Sequence, residues 1–311
     1  MIETYRVADY IADFIEKIGV KNVFLLPGGG AMHLVDAVGK NDNIEVVACL
    51  HEQAAAISAE AYSRISENIG VAMVTTGPGA TNAITAVAGA WIESVPLIII
   101  SGQCKRSDML RDSPLRQKGV QEVDIVKMVK SITKYSIIVE DPEEIRAIME
   151  KAYHIAKDGR SGPVWIDVPL DVQGAPIVSK NLPSWKGRAE EVQKSNIISN
   201  NTIENITSLL NNAKRPLILA GHGIRLANSA VAFREWVEDL GVPVISTWNA
   251  LDLLPYDHPL YVGRPGVVAL RGPNFAVQNC DLLISIGCRL DNIITAYNSK
   301  GFARGAKKIV V

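Results

Sequence analysis

The chain has 311 residues, 48% of them hydrophobic, which exceeds one typical domain and is ample for buried cores, so disordered and fibrous classes are excluded. Lys+Arg 32 against Asp+Glu 33 gives a formal charge of -1 with no long run of either sign, so neither nucleic acid nor an anionic membrane surface is expected as partner, and a small molecule is. No basic-then-apolar leader opens the sequence, and its apolar stretches fall far short of the ~20 residues of a membrane-spanning helix, so a cytoplasmic protein is expected.

In chain order, residues 22–26, 44–50, 71–75, 97–101 and 164–168 are predicted strands, with helical patterns filling the gaps. Runs that are apolar on both faces fit a parallel sheet covered by helices on both sides, so the first domain, residues 1–175, is expected to be a doubly wound α/β sheet. From 176 to 199 the text turns polar and irregular and reads as an exposed linker. A second, Rossmann-like α/β domain is expected over 200–311, with strands at 216–220, 242–246 and 281–286 and an amphipathic helix at 229–240. Residues 307–311 begin another strand and stop inside it, so the sequence reads as cut short; a natural terminal edge strand is the alternative. Cys49, Cys104, Cys280 and Cys288 lack metal-site spacing and read as reduced packing residues.

Ligands of open α/β sheets bind outside the carboxyl ends of the strands, so the strand-to-helix junctions are the candidate site. After the first strand comes Pro27-Gly28-Gly29-Gly30, which suits close backbone approach to a ligand and equally suits a plain tight turn. After the second comes His51-Glu52-Gln53, placing an acid at the strand mouth, where it can also merely decorate a helix's first turn. The third is the most specific: Thr75-Thr76-Gly77-Pro78-Gly79-Ala80-Thr81-Asn82, with an apolar helix expected over 83–90 and Asn82 as a possible cap of it. The fourth strand ends in Ser101-Gly102-Gln103.

This ordered set resembles the pyrimidine-binding domain of thiamine-diphosphate enzymes, with the acetolactate synthase family the nearest in pattern. The likeness continues through Val120-Gln121-Glu122-Val123-Asp124, Ser131-Ile132-Thr133-Lys134 and Arg160-Ser161-Gly162-Pro163-Val164-Trp165-Ile166-Asp167-Val168-Pro169. It extends more weakly into the second domain, through Gly221-His222-Gly223 and Ile286-Gly287-Cys288-Arg289-Leu290-Asp291. Several motifs in order carry more weight than any one of them.

The resemblance implies that Glu52 meets the aminopyrimidine ring nitrogen and promotes the imino form that takes the thiazolium C2 proton. It implies that Pro27, Gly28, Gly29, Thr76, Gly77, Pro78, Gly79 and Asn82 line the cofactor. Gln121 matches a glutamine facing the reacting centre, where it would orient a 2-oxo acid; a solvated loop amide is the other reading. Arg160 matches an arginine used by members that bind FAD, whereas Gly263-Arg264-Pro265-Gly266 departs from their pattern and puts the flavin in doubt. The family's diphosphate and Mg2+ are held by another domain marked by Gly-Asp-Gly, a motif these residues do not contain, so no metal site is expected here. The implied activity is that of a carboligase that decarboxylates pyruvate and condenses the two-carbon unit with a 2-oxo acid, in a homodimer or homotetramer. Two alternatives stay open: another thiamine-dependent decarboxylase, acyltransferase or C–C hydrolase, and a non-catalytic module of the same fold.

Overall fold

A computed structural model of the chain describes residues 5–66, 68–187 and 198–311. It divides into two compact units, Met1–Gln193 and Lys194–Val311.

The first unit runs α1 (Val7–Lys17), β1 (Asn22–Leu25), α2 (Met32–Lys40), β2 (Glu45–Ala48), α3 (Glu52–Ser66), β3 (Gly70–Val74), α4 (Pro78–Asn82), α5 (Ile84–Glu93), β4 (Leu97–Gln103), α6 (Ile125–Val129), β5 (Tyr135–Ile138), α7 (Ile145–Lys157), β6 (Pro163–Pro169) and α8 (Leu170–Gln173). Its six strands lie in the order β2-β1-β3-β4-β6-β5, and every pairing is parallel. Side chains alternate across a strand, so β4 feeds two cores. Ile98 and Ile100 join Ile11, Leu34 and Ile148 beneath α1, α2 and α7, while Leu97 and Ile99 join Ala56, Ala59, Val87 and Ile125 beneath α3, α5 and α6. Helices therefore cover both faces, and β3, β4 and β6 are buried throughout, which explains their uninterrupted apolar text.

Three features differ from the expectations drawn from the sequence. The second strand, expected over 44–50, is the half-exposed edge strand β2 over Glu45–Ala48, and the opposite edge strand β5 was not foreseen. Edge strands bury less surface, so their hydrophobic signal is weak. The helix expected over 83–90 is α5, Ile84–Glu93, but a separate short helix α4 over Pro78–Asn82 precedes it, where a proline at the first helical position needs no N–H partner. The stretch expected to be an exposed linker begins as a docked segment. Ile177 N donates to Tyr5 O at 3.0 Å, Leu182 is buried in the first core, and Trp185 N donates to Glu150 at 2.8 Å. Two isolated apolar anchors produce no periodicity for a sequence reading to detect. Residues 188–197 of that stretch lie outside the described residues.

The second unit contains α9 (Asn200–Asn212), β7 (Pro216–Ala220), α10 (Gly223–Leu226), α11 (Ala230–Leu240), β8 (Val244–Ser246), β9 (Tyr261–Gly263), α12 (Arg271–Asn279), β10 (Leu282–Ile286) and β11 (Lys307–Val310). Its five strands run in the order β11-β10-β7-β8-β9, all parallel, between a core around Ile218, Phe233 and Ile284 and another around Leu219, Val277 and Leu283. The short β9 and the helix α12, which carries Gly272 and Pro273, escaped the sequence reading because breaker residues obscure both.

Candidate functional site

Because every strand of the first sheet is parallel, the ends of β1, β2, β3, β4 and β6 open on one edge, and the site grows from what each junction places there. Glu52 is the first residue of α3, where the helix dipole favours a negative side chain. It is nonetheless only 7% exposed. Its Oε2 accepts a hydrogen bond from Asn82 Nδ2 at 2.9 Å. Its Oε1 lies close to Gly79: a Cβ at position 79 would lie 2.6 Å from Thr75 Cγ2 and 3.0 Å from that oxygen, so glycine is what fits between them. Asn82 therefore ends the short α4 as a partner of the carboxyl, and α5 follows Ala83 without a side-chain cap.

Gly77 has φ +61°, and a Cβ there would stand 1.8 Å from the Gln121 carbonyl oxygen. Glycine alone permits both the backbone and that approach. This brings Gln121, far away in sequence, onto the third junction with its own backbone at φ 57° and its side chain exposed. Thr76 is buried and its hydroxyl donates to Gly102 O at 2.8 Å, tying the third junction to the fourth. Gly30 N donates to the Thr75 hydroxyl at 3.1 Å, tying the first junction to the third. Gly28 packs on the Thr75 side chain, while Pro27, Gly29 and Pro78 are exposed along the same edge. Arg160 is not brought to this edge. It precedes β6, and its Nε donates to Ser94 Oγ at 2.7 Å just before β4, so it lies at the amino ends of the strands.

The sequence reading missed a buried polar set behind the junctions. Asp167, in the middle of β6, is wholly buried and accepts from Ser101 Oγ at 2.5 Å and from Gln103 Nε2 at 3.0 Å. Burial, opposed by the bonds from Ser101 and Gln103, pushes its carboxyl up to about 7. Gln173 Nε2 donates to Gly30 O at 2.7 Å and Val168 O at 2.8 Å, bracing the first junction from α8. One signal for Asp167 was present, a lone acid within a run apolar on both faces.

The second unit uses its glycines otherwise. Gly223 N donates to Gly287 O at 3.0 Å, and a Cβ on Gly221 would meet that same oxygen at 2.2 Å. These glycines join two strand mouths backbone to backbone. Arg264 lies over the Trp248 ring at 5.9 Å. Burial pushes the Cys104 and Cys288 thiols up to about 11, in keeping with packing roles.

The mouths of this parallel sheet hold a buried acid packed against Gly79, with Gly28, Gly30 and Gly77 at the adjoining junctions. Residues 5–128 match the thiamine pyrophosphate enzyme N-terminal TPP binding domain, and residues 203–311 match the thiamine pyrophosphate enzyme central domain. The chain belongs to the thiamine pyrophosphate enzymes. Within that family it is similar to acetolactate synthases: 34% identical to the large subunit of Lactococcus lactis over 92% of this chain and 48% of that protein. It is 36% identical to the isozyme 1 large subunit of Escherichia coli, over 92% of this chain and 49% of that one. It is 34% identical to the chloroplastic acetolactate synthase 1 of Zea mays, over 98% of this chain and 46% of that one. The chain thus spans about half the length of the curated relatives it matches.

Proposed function

We propose that the protein carrying this chain is a thiamine-diphosphate-dependent carboligase that decarboxylates pyruvate and joins the two-carbon unit to a second 2-oxo acid. The observation that supports it most is the buried Glu52 carboxyl at the strand mouths, with one oxygen tied to Asn82 and the other close against Gly79. Thiamine diphosphate, when bound, would supply the nucleophilic carbon and the electron sink that decarboxylation of a 2-oxo acid requires. Asn82, a donor, makes Oε2 the acceptor oxygen, so a proton on the Glu52 carboxyl sits on Oε1, where a ring nitrogen can exchange it. Gly77, Pro78 and Gly79 line the ring, and Pro27, Gly28, Gly29 and Thr76 shape the same edge. Gln121 is assigned to the 2-oxo acid, on the strength of its place against Gly77.

The diphosphate and Mg2+ are assigned to residues outside this chain. FAD stays an open candidate carried by the Arg160 motif alone; Arg160 is exposed at the amino edge and donates from Nε to Ser94 Oγ at 2.7 Å. A homo-oligomer is part of the proposal: Leu50, two residues before Glu52, is 100% exposed, and α3 and α5 also leave Ile57 and Trp91 uncovered. A cytoplasmic location is proposed too; among the described residues no helix is long and apolar enough to cross a membrane.

The test is Glu52→Gln in the full protein that contains this chain, loaded with thiamine diphosphate and Mg2+. The amide cannot exchange a proton with the ring, so C2 hydrogen–deuterium exchange should fall by roughly 10²–10⁴-fold with the fold retained. Unchanged exchange sinks the assignment of Glu52. Product analysis with pyruvate separates the chemistries, because acetaldehyde in place of an acetohydroxy acid identifies a simple decarboxylase.

A further inference from the structure

We propose that Gln103 is a positioning residue: from the end of β4 it holds the loop over residues 119–124, and with it Gln121, against the Gly77 turn. Gln103 is buried, and its amide is fully engaged. Its Oε1 accepts from Cys104 N at 3.0 Å, and its Nε2 donates to Asp167 Oδ2 at 3.0 Å and to Val123 O at 3.1 Å. The backbone donor at Cys104 and the carbonyl acceptor at Val123 fix which end of the amide faces which way. Asp167 is held in turn by Ser101, whose hydroxyl accepts from Trp165 Nε1 at 2.7 Å. One continuous chain of hydrogen bonds therefore leads from Trp165 and Asp167 in β6, through Ser101 and Gln103 in β4, to the carbonyl two residues after Gln121.

The loop needs such an anchor. Gln121 has φ 57°, a conformation that a non-glycine residue keeps only where its surroundings impose it. On one side Glu122 accepts from Gly119 N at 2.9 Å and from Leu110 N, bonds made within the loop region itself. On the other side the bond to Val123 O comes from the sheet. The Gln121 carbonyl lies where only a glycine at 77 leaves space, so a shift of the loop moves the wall of the third junction and the Gln121 side chain together. An apolar residue could fill the place of Gln103, but it could not hold a carbonyl. A buried amide wired to a buried acid fixes geometry at a cost in desolvation. What Gln121 would present to, a 2-oxo acid, rests on the function proposed above.

The test uses Gln103→Met, similar in length without donors, and Gln103→Asn, which keeps the amide one methylene short. In the 311-residue chain, amide exchange over 119–124 should rise about ten-fold in both variants while β3 and β4 keep their protection, with the Trp165 indole N–H resonance reporting an intact unit. Unchanged exchange in the loop overturns the proposal, and so does unfolding of both variants, which would make the role purely structural; if one variant unfolds, the other decides. In the full protein, Gln103→Asn should raise KM for pyruvate about ten-fold while thiamine diphosphate affinity holds. An unchanged KM overturns the link to substrate. Should the wild-type protein turn over no 2-oxo acid, the functional reading fails, and the exchange experiment still judges Gln103.

Discussion

The two units share one plan, an all-parallel sheet with glycines at the strand mouths, yet they fill that plan differently. In the first, glycine stands beside buried polar side chains of real length, Glu52, Gln103, Asp167 and Gln173. In the second, Gly221 and Gly223 close on Gly287, and the buried polar residues are the short Ser246, Ser285 and Thr295. A glycine after a strand shows that something must come close. Whether a ligand or another stretch of backbone comes close is decided by the side chains around it.

Substituting the glycines should break the comparison most severely. Gly77→Ala meets both a left-handed backbone and the Gln121 carbonyl at 1.8 Å, and should cost the first unit on the order of 2 kcal/mol or more in denaturant unfolding. Gly221→Ala should lower the second unit's transition by a similar order and leave the first unit's transition in place, since the Gly287 carbonyl and Cys288 Cα, both in the second unit, stand in its way. Loss of thiamine diphosphate binding in Gly221→Ala would contradict the division of labour.

A smaller effect sharpens the contrast in buried acids. The Asp167 carboxyl is raised from 3.8 to about 7, so the folded state holds its proton more tightly than the unfolded chain. Its contribution to stability is complete below about pH 4 and is lost as pH rises through about 7. Chemical denaturation of the wild type at pH 5 and pH 8 should show the first unit weakening at the higher pH, and Asp167→Asn should flatten that dependence. An identical slope in the variant would deny Asp167 the titration.

The weakest effects belong to surface ion pairs. Arg106 contacts Asp171 at 2.7 Å and also donates to Glu140 O, so Arg106→Ala should cost about 1 kcal/mol. Arg225, paired with the exposed Asp252 at 2.7 Å, should cost about 0.5 kcal/mol or less. Thermal or urea melts would rank the two.

Much of this was legible beforehand, for identifiable reasons. β3, β4 and β6 are buried on both faces, and their strings of Val, Ile and Leu announced them. Glu52 and the Gly77-Pro78-Gly79 turn were legible because they sit within short local motifs. Gln103 and Asp167 were read only as neighbours of a glycine and a strand, because their partnership joins residues separated by 64 positions. The short α4 was not foreseen because proline and glycine usually read as breakers, although a proline suits a first helical turn. Arg160 lies in a local motif, whereas its place at the amino edge is a property of the sheet.

Amino-acid order by itself determined the parallel α/β layering and the identity of the acid at the second strand mouth, since hydrophobic periodicity and motif chemistry are local. Only tertiary structure decided that Asn82 claims one oxygen of Glu52, that Gln121 leans on Gly77, and that Gln103 ties β4 and β6 to that loop. Hydrogen bonds and close contacts between distant segments depend on strand order and register, and no local pattern of residues encodes these.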